Sequence, residues 1–152
     1  MFRLVRTTSD NPDFRTLVQS LDRELAERDG AEAGFYAQYN KIDLIKNAVV
    51  AYLADEPVGC GAFKEFAGDT VEIKRMFVQP THRQQGVAQA VLAELERWAS
   101  ELGYPSCVLE TGKRQPEAIG LYERSGYART PNYGQYVGVE NSVCFRKALP
   151  VA

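Results

Sequence analysis

The chain has 152 residues, which is enough for one domain with a substantial core and too few for two full domains. Its formal net charge of -2 argues against a nucleic-acid partner, because a nucleic-acid-binding protein would be strongly basic. No stretch is long and apolar enough to span a bilayer, and the amino terminus lacks a signal-peptide pattern, so we expect a cytoplasmic protein without a membrane partner.

The amino-terminal half predicts one clear helix and a run of strands. The predicted elements are a strand at 2–7, a helix at 12–28, and strands at 48–54, 58–66 and 70–78. Short turns join the last three strands, which predicts an antiparallel meander. The alternation of apolar and polar residues breaks at Lys74-Arg75-Met76, and such a break indicates a β-bulge. The weaker pattern at 31–46 is interpreted as a short helix followed by a polar loop.

The carboxy-terminal half alternates helices and strands. The predicted elements are a helix at 86–102, a strand at 106–111, a short helix at 116–125, and strands at 127–130 and 142–149. Because a helical crossover joins the strands at 70–78 and 106–111, these two strands should be parallel. The sequence thus predicts a single α/β domain over residues 1–152, with a mixed, mostly antiparallel sheet of about six to seven strands flanked by about four helices.

The cysteines and the single histidine exclude two kinds of chemistry. Cys60, Cys107 and Cys144 each lie in an apolar run typical of a strand, so we expect buried free thiols. A catalytic cysteine would need a neighbouring base, and the only histidine, His82, lies among loop residues. With one histidine and no paired cysteines, we expect no metal site.

The segment between the strand at 70–78 and the helix at 86–102 has the features of an anion site. A strand ends before Pro80, a basic loop with Arg83 follows, and Gly86 opens the long helix. The first turn of a helix has unpaired N–H groups and partial positive charge, and a glycine there lets a phosphate approach the backbone. The Arg-x-x-Gly-x-Ala spacing is weak by itself, and a surface loop beside a helix start is the alternative. The pattern is neither a P-loop nor a dinucleotide fingerprint.

Two stretches resemble motifs of the GNAT superfamily of N-acetyltransferases. The first is Glu72-Ile-Lys-Arg-Met-Phe-Val-Gln-Pro80, continued by Arg83-Gln-Gln-Gly-Val-Ala88. The second is Val108-Leu-Glu-Thr111 with Ala118-Ile-Gly-Leu-Tyr-Glu-Arg-Ser-Gly-Tyr127, which is similar to the family's A-x-x-L-Y-x-x-x-G-F/Y element. The resemblance runs through nearly the whole chain, although it covers the substrate-binding parts poorly. It implies the GNAT fold, in which a splayed pair of parallel strands forms the cofactor cleft.

The resemblance also implies acetyl-coenzyme A as the cofactor, with no metal. Backbone N–H groups of residues 84–88, together with Arg83, would hold the pyrophosphate, and the main chain of residues 76–78 would pair with the pantetheine arm. An N–H near Met76 would polarise the acetyl carbonyl. The implied cofactor-binding residues are Met76, Phe77, Val78, Arg83, Gln84, Gln85, Gly86, Val87, Ala88 and Tyr122.

Two residues are candidates for proton transfer. Aminolysis of a thioester needs a neutral amine, so a carboxylate that accepts the proton is useful. Glu72 matches the strand glutamate that serves as base in several family members, and the alternatives are a solvent-facing role for Glu72, Glu110 as the base, or water alone. Tyr122 matches the family's general-acid tyrosine, and the alternative is a helix aromatic that packs against the sheet.

The sequence leaves the acceptor open. Candidate aromatic residues of an acceptor pocket are Phe35, Tyr36, Tyr39, Tyr133 and Tyr136, and loop tyrosines that cover the core are the alternative. We expect an N-acetyltransferase that acts on a primary amine of a small molecule or protein, by direct attack in a ternary complex. The alternatives are a coenzyme A-binding sensor or partner-binding module without transferase activity, and a small α/β scaffold that binds another phosphate at Gly86. GNAT proteins are often homodimers, and the sequence leaves the oligomeric state open.

Overall fold

A computed structural model describes residues 2–29 and 44–150 of the chain, which contain three helices and seven strands. The helices are α1 Pro12–Asp29, α2 Val87–Glu101 and α3 Pro116–Arg124. The strands are β1 Arg3–Thr7, β2 Asn47–Leu53, β3 Glu56–Ala67, β4 Thr70–Val78, β5 Ser106–Gly112, β6 Ala128–Thr130 and β7 Ser142–Ala148. About four helices are predicted, and the short helix predicted within 31–46 falls mostly outside the described residues. Short 3₁₀ turns occur at Pro80–His82 and Gly134–Tyr136.

All seven strands form one sheet in the order β1-β2-β3-β4-β5-β7-β6. Only β4 and β5 among the neighbouring pairs of the described sheet are parallel, because α2 carries the chain back between them. The predicted mixed, mostly antiparallel sheet with one parallel pair is confirmed. Helix α1 covers one face of the sheet, and α2 packs on the other face.

The three cysteines are free and buried within this core, as predicted. Burial raises the pKa of the Cys107 and Cys144 thiols to about 11, so neither thiol is a nucleophile at neutral pH.

A β-bulge interrupts β4 where the sequence predicts one. Ala62 of β3 pairs with Lys74, but Cys60 pairs with Phe77, so β4 has one extra residue between these two pairs. Arg75 takes up the extra length with a left-handed φ of 63°. Lys74 and Phe77 therefore face the same side of the sheet although they are three residues apart.

Two glycines in β3 allow α2 to lie close to the sheet. A Cβ added to Gly59 would lie 2.6 Å from Val87 Cγ1 at the start of α2. A Cβ added to Gly61 would lie 2.5 Å from Met76 Sδ, 2.8 Å from Leu95 Cδ1 and 2.9 Å from Val91 Cγ1. These distances are shorter than any normal carbon contact, so only glycine fits under the helix.

The substitution Gly61→Ala tests this close packing. We expect it to lower the free energy of unfolding by about 1 to 3 kcal/mol, the usual cost of overpacking a filled core. Chemical denaturation followed by circular dichroism measures the change. The control is Gly68→Ala, because a Cβ there meets no atom within 4 Å. It should change the free energy by no more than about 0.5 kcal/mol, and equal effects of the two substitutions would contradict the packing argument.

Candidate active site

A cleft opens where β4 and β5 separate. Their pairing begins at Thr70 with Ser106 and ends at Ile73 with Leu109, although both strands continue beyond this point. The separation coincides with the β-bulge at Arg75. Two cavities lie along the separated strands. The large cavity has a volume of about 500 Å³ and the small cavity about 100 Å³. The two cavities share the lining residues Leu21, Met76, Gln115, Ala118 and Tyr122.

The large cavity ends at the start of α2, where the sequence predicts an anion site. Gln84 and Gly86 have left-handed φ angles of 64° and 85°, which turn the loop into the helix. The first helical hydrogen bond runs from the Ala90 N–H to the Gly86 carbonyl, so the N–H groups of the first turn precede the hydrogen-bond ladder. A Cβ on Gly86 would meet no atom within 4 Å, so the space in front of the helix is open.

Most of the residues predicted to bind the cofactor line the large cavity. They are Met76, Phe77, Val78, Arg83, Gln84, Gly86, Val87, Ala88 and Tyr122. Gln85 is the exception, because it does not line either cavity.

The Arg83 guanidinium joins three elements at the mouth of the large cavity. Its Nε donates to the Val78 carbonyl at 2.9 Å, and its Nη2 donates to Glu24 Oε2 at 2.7 Å. The guanidinium also lies 5.5 Å from the Phe77 ring. Arg83 thereby ties the loop before α2 to the end of β4 and to α1.

Tyr122 lies where the two cavities meet. It is 6% exposed and packs against the rings of Tyr127 and Phe145, with centroid distances of 5.8 and 5.9 Å. Among the described residues its hydroxyl has no hydrogen-bond partner. Burial, with the negative charge of Glu110, raises the pKa of Tyr122 above its ordinary value, so the hydroxyl keeps its proton at neutral pH. The two interpretations of Tyr122 are thus compatible, because its ring packs and its hydroxyl group is available.

Glu72 is buried beside the small cavity, so the solvent-facing alternative is wrong. It is 2% exposed, and the Tyr133 hydroxyl donates to its Oε2 at 2.7 Å. Lys74 Nζ lies 3.9 Å from the other oxygen, Oε1. Glu110 lines the same cavity from β5, where its Oε2 accepts a hydrogen bond of 2.7 Å from Ser142.

The aromatic residues predicted to line an acceptor pocket differ in where the structure places them. Tyr136 is buried and lines the small cavity. Tyr133 does not line it, because its side chain lies behind Glu72 and packs against Phe66 and Tyr136. Phe35, Tyr36 and Tyr39 lie outside the described residues.

Some lining residues were not singled out from the sequence. In the sequence, Lys74 stands out only in the irregular segment Lys74-Arg75-Met76, although its two-residue spacing from Glu72 on one strand signals a shared face. Leu21, Glu24 and Leu25 of α1 form one wall of the cleft. No local signal marks them, because their position depends on how α1 packs across β4.

The substitution Tyr133→Phe tests the support of Glu72. We expect it to lower the free energy of unfolding by about 1 to 3 kcal/mol at neutral pH, because a buried carboxylate loses a donor. Burial and the Glu72 carboxylate raise the folded-state pKa of Tyr133 above its ordinary 10.0. The stabilisation that the Tyr133 hydrogen bond provides is therefore complete below about pH 10. It decreases at higher pH, where the unfolded chain loses the phenolic proton first. Denaturation of both proteins from pH 7 to 11 measures the difference.

The matched control for this experiment is Tyr104→Phe. The Tyr104 hydroxyl donates to Glu65 Oε1 at 3.1 Å, which is the same pair of groups at an exposed position. We expect a change in unfolding free energy of no more than about 0.5 kcal/mol there. If Tyr133→Phe had as small an effect, the Tyr133 hydroxyl would not support Glu72.

Within residues 2–29 and 44–150, no helix has the length and apolarity needed to cross a membrane. The same residues contain no group of three His, Cys, Asp or Glu side chains that could hold a metal ion.

Comparisons with known proteins agree with this architecture. The family model described as the acetyltransferase (GNAT) family matches residues 12–127. Over 124 residues the chain is 35% identical to the IAA acetyltransferase of Azospirillum brasilense. The aligned stretch covers 79% of this chain and 80% of that protein. The structure of a Klebsiella pneumoniae protein assigned to the acyl-CoA N-acyltransferases superposes with a TM-score of 0.82 at 28% identity, over 98% of each chain.

A third comparison concerns a structure with a bound ligand. The PaiA N-acetyltransferase of Thermoplasma acidophilum, in complex with coenzyme A, superposes with a TM-score of 0.69 at 15% identity, over 97% of this chain and 99% of that one. This likeness concerns the fold. Because the family model matches well over half of the sequence, the chain belongs to the GNAT family and is an acyl-CoA-dependent acetyltransferase.

Proposed function

We propose that the protein transfers an acetyl group from acetyl-coenzyme A to a primary amine, by direct attack while both substrates are bound. One observation carries the proposal: the open helix start at Gly86 lines one cavity, the buried Glu72 and the half-buried Glu110 line the adjoining one, and Tyr122 lines both. An acyl donor that carries phosphates suits the end at Gly86, and an amine suits the end with the two carboxylates.

The polar groups that line the large cavity suit acetyl-coenzyme A. The space in front of Gly86 is open, and the N–H groups of Val87 and Ala88 at the first turn of α2 would bind the pyrophosphate. Bound there, acetyl-coenzyme A supplies a reactive thioester. The coenzyme A complex of the Thermoplasma neighbour supports this assignment. Arg83 would add positive charge while its bonds to Val78 and Glu24 keep the loop in place.

The residues at the junction of the cavities would orient and stabilise the reacting groups. β4 has no β5 partner beyond Ile73, so its main chain at residues 76–78 can pair with an extended ligand arm. The N–H group near Met76 would donate to the acetyl oxygen as negative charge develops there. Tyr122 would donate its proton to the leaving sulfur. Its raised pKa keeps the hydroxyl protonated at neutral pH but also makes it a weaker acid.

The carboxylates of the small cavity would bind the amine and take its proton. Glu72 is the proposed base, because the Tyr133 hydrogen bond fixes its side chain beside the cavity. Glu110, held by Ser142, is the alternative on the facing strand. The small volume of this cavity, about 100 Å³, favours a small amine or the exposed end of a side chain as the acceptor.

The substitution Gly86→Ala tests the cofactor site. A Cβ at φ 85° is strained and projects into the open space where the phosphates would bind. We expect the dissociation constant for acetyl-coenzyme A, measured by calorimetric titration, to rise by roughly tenfold or more, which corresponds to about 1.4 kcal/mol.

The matched control is Gly103→Ala, at the other end of α2. Gly103 has a similar φ of 94°, and a Cβ there also meets no atom within 4 Å, so the backbone strain is comparable. Its affinity for acetyl-coenzyme A should equal that of the wild type. Equal affinities for all three proteins would refute a cofactor site at Gly86, and no binding by the folded wild type would refute the proposed function.

The substitution Tyr122→Phe tests the proton donor. It removes one hydroxyl group and keeps the packing against Tyr127 and Phe145. We expect kcat to fall by roughly 10- to 100-fold. The loss should not be larger, because a thiolate is a weaker base than many leaving groups and needs less help from a proton donor. The dissociation constant for acetyl-coenzyme A should not change. Thiol release with a panel of small amines measures kcat, and an unchanged kcat would exclude Tyr122 as the acid.

A further inference from the structure

Lys74 is a buried lysine at the point where the cleft opens. Its side chain is 7% exposed and lines the small cavity, together with Met76 and Tyr122. It is the first residue of β4 beyond the last pair with β5, so it lies where the cleft opens. A buried amine at this point faces the same groups that an acceptor amine would meet.

We propose that Lys74 is itself an acceptor, and that its Nζ becomes acetylated in the cleft when acetyl-coenzyme A is bound and no amine substrate is present. This proposal rests on the proposed function, because it uses the same acyl donor and the same carboxylates. It adds a modification site that lies inside the active-site cavity.

The surroundings of Lys74 supply what the reaction requires. The attacking amine must be neutral, and burial lowers the pKa of the Lys74 ammonium below its ordinary value, although the Glu72 carboxylate raises it. Glu72 Oε1 lies 3.9 Å from Nζ and can accept the proton that the amine loses. Tyr122 lines the same cavity and can protonate the sulfur.

The bonds and the proton balance without a further reactant. The lone pair of Lys74 Nζ attacks the acetyl carbonyl carbon, and a new N–C bond forms as the C–S bond breaks. The electron pair of the broken bond leaves on sulfur, which receives a proton from Tyr122. The amine proton goes to Glu72 and from there to solvent or to Tyr122. The products are acetylated Lys74 and free coenzyme A.

The location distinguishes Lys74 from the other described lysines. Lys46, Lys64 and Lys113 are exposed, and Lys147 donates to Glu96 Oε1 at 2.8 Å on the other face of the sheet. None of these four lines either cavity. Spontaneous acetylation in solution would therefore favour the exposed lysines, whereas acetylation inside the cleft would favour Lys74.

The test is mass spectrometry of the wild-type protein after incubation with isotopically labelled acetyl-coenzyme A and no amine. We expect one acetyl group per chain, located by peptide fragmentation at Lys74, and formed at least about tenfold faster than at Lys113 because the donor is held beside it. Lys74→Arg should show no label at this position, and the matched control Lys113→Arg should behave like the wild type. The localisation in the wild-type protein stands even if Lys74→Arg does not fold.

Calorimetric titration with coenzyme A separates this proposal from the proposed function. If the folded wild type binds coenzyme A but acetylates Lys74 no faster than Lys113, the modification site is refuted and the transferase remains. If it binds no coenzyme A, both proposals fail. In the Gly86→Ala protein, Lys74 should be labelled more slowly at a subsaturating donor concentration while the labelling of Lys113 is unchanged. Equal slowing at both lysines would contradict acetylation within the cleft.

Discussion

The β-bulge at Arg75 is the constraint on which the cleft depends. A parallel pair of strands normally continues its hydrogen bonds to the end of the shorter strand, but β4 turns away from β5 once the extra residue is inserted. The bulge has two consequences at once. It leaves the main chain of Met76 to Val78 without a partner on the β5 side, and it places Lys74 and Phe77 on the same face. An opening in the sheet and the orientation of the side chains around it thus arise from one irregularity.

Helix α1 stabilises the two ends of this irregular segment. Asp22 Oδ1 accepts a hydrogen bond of 3.0 Å from Arg75, the residue with the strained φ, and Glu24 accepts one from Arg83 in the loop before α2. A left-handed φ at a residue with a Cβ costs about 1 kcal/mol or more and persists only where the surroundings impose it. The pairing of a buried guanidinium with an acidic residue of α1 is one such restraint, so the cleft and the packing of α1 are energetically coupled.

The sequence predicts the local features of the site and misses the long-range ones. Gly86, the bulge and the bounds of β4 follow from composition and periodicity over a few neighbouring residues. The contact of Glu24 with Arg83 joins residues 59 positions apart, and that of Tyr133 with Glu72 joins residues 61 positions apart. No periodic pattern in the sequence indicates either contact. The two glycines of β3 are an intermediate case, because a glycine within a strand indicates close approach but does not identify α2 as the element that approaches.

The buried charges of the small cavity are better explained by chemistry than by stability. Placing ionised groups in the interior costs several kcal/mol, and their mutual attraction only partly offsets this cost. Apolar residues at 72 and 74 would satisfy the same strand geometry, as Val71 and Ile73 do on the opposite face. An amine substrate, however, needs a group that accepts its proton, and an acyl carbonyl needs donors nearby. The charges of Glu72, Lys74 and Glu110 meet where the sheet opens, which is the one place along β4 where a substrate can reach them.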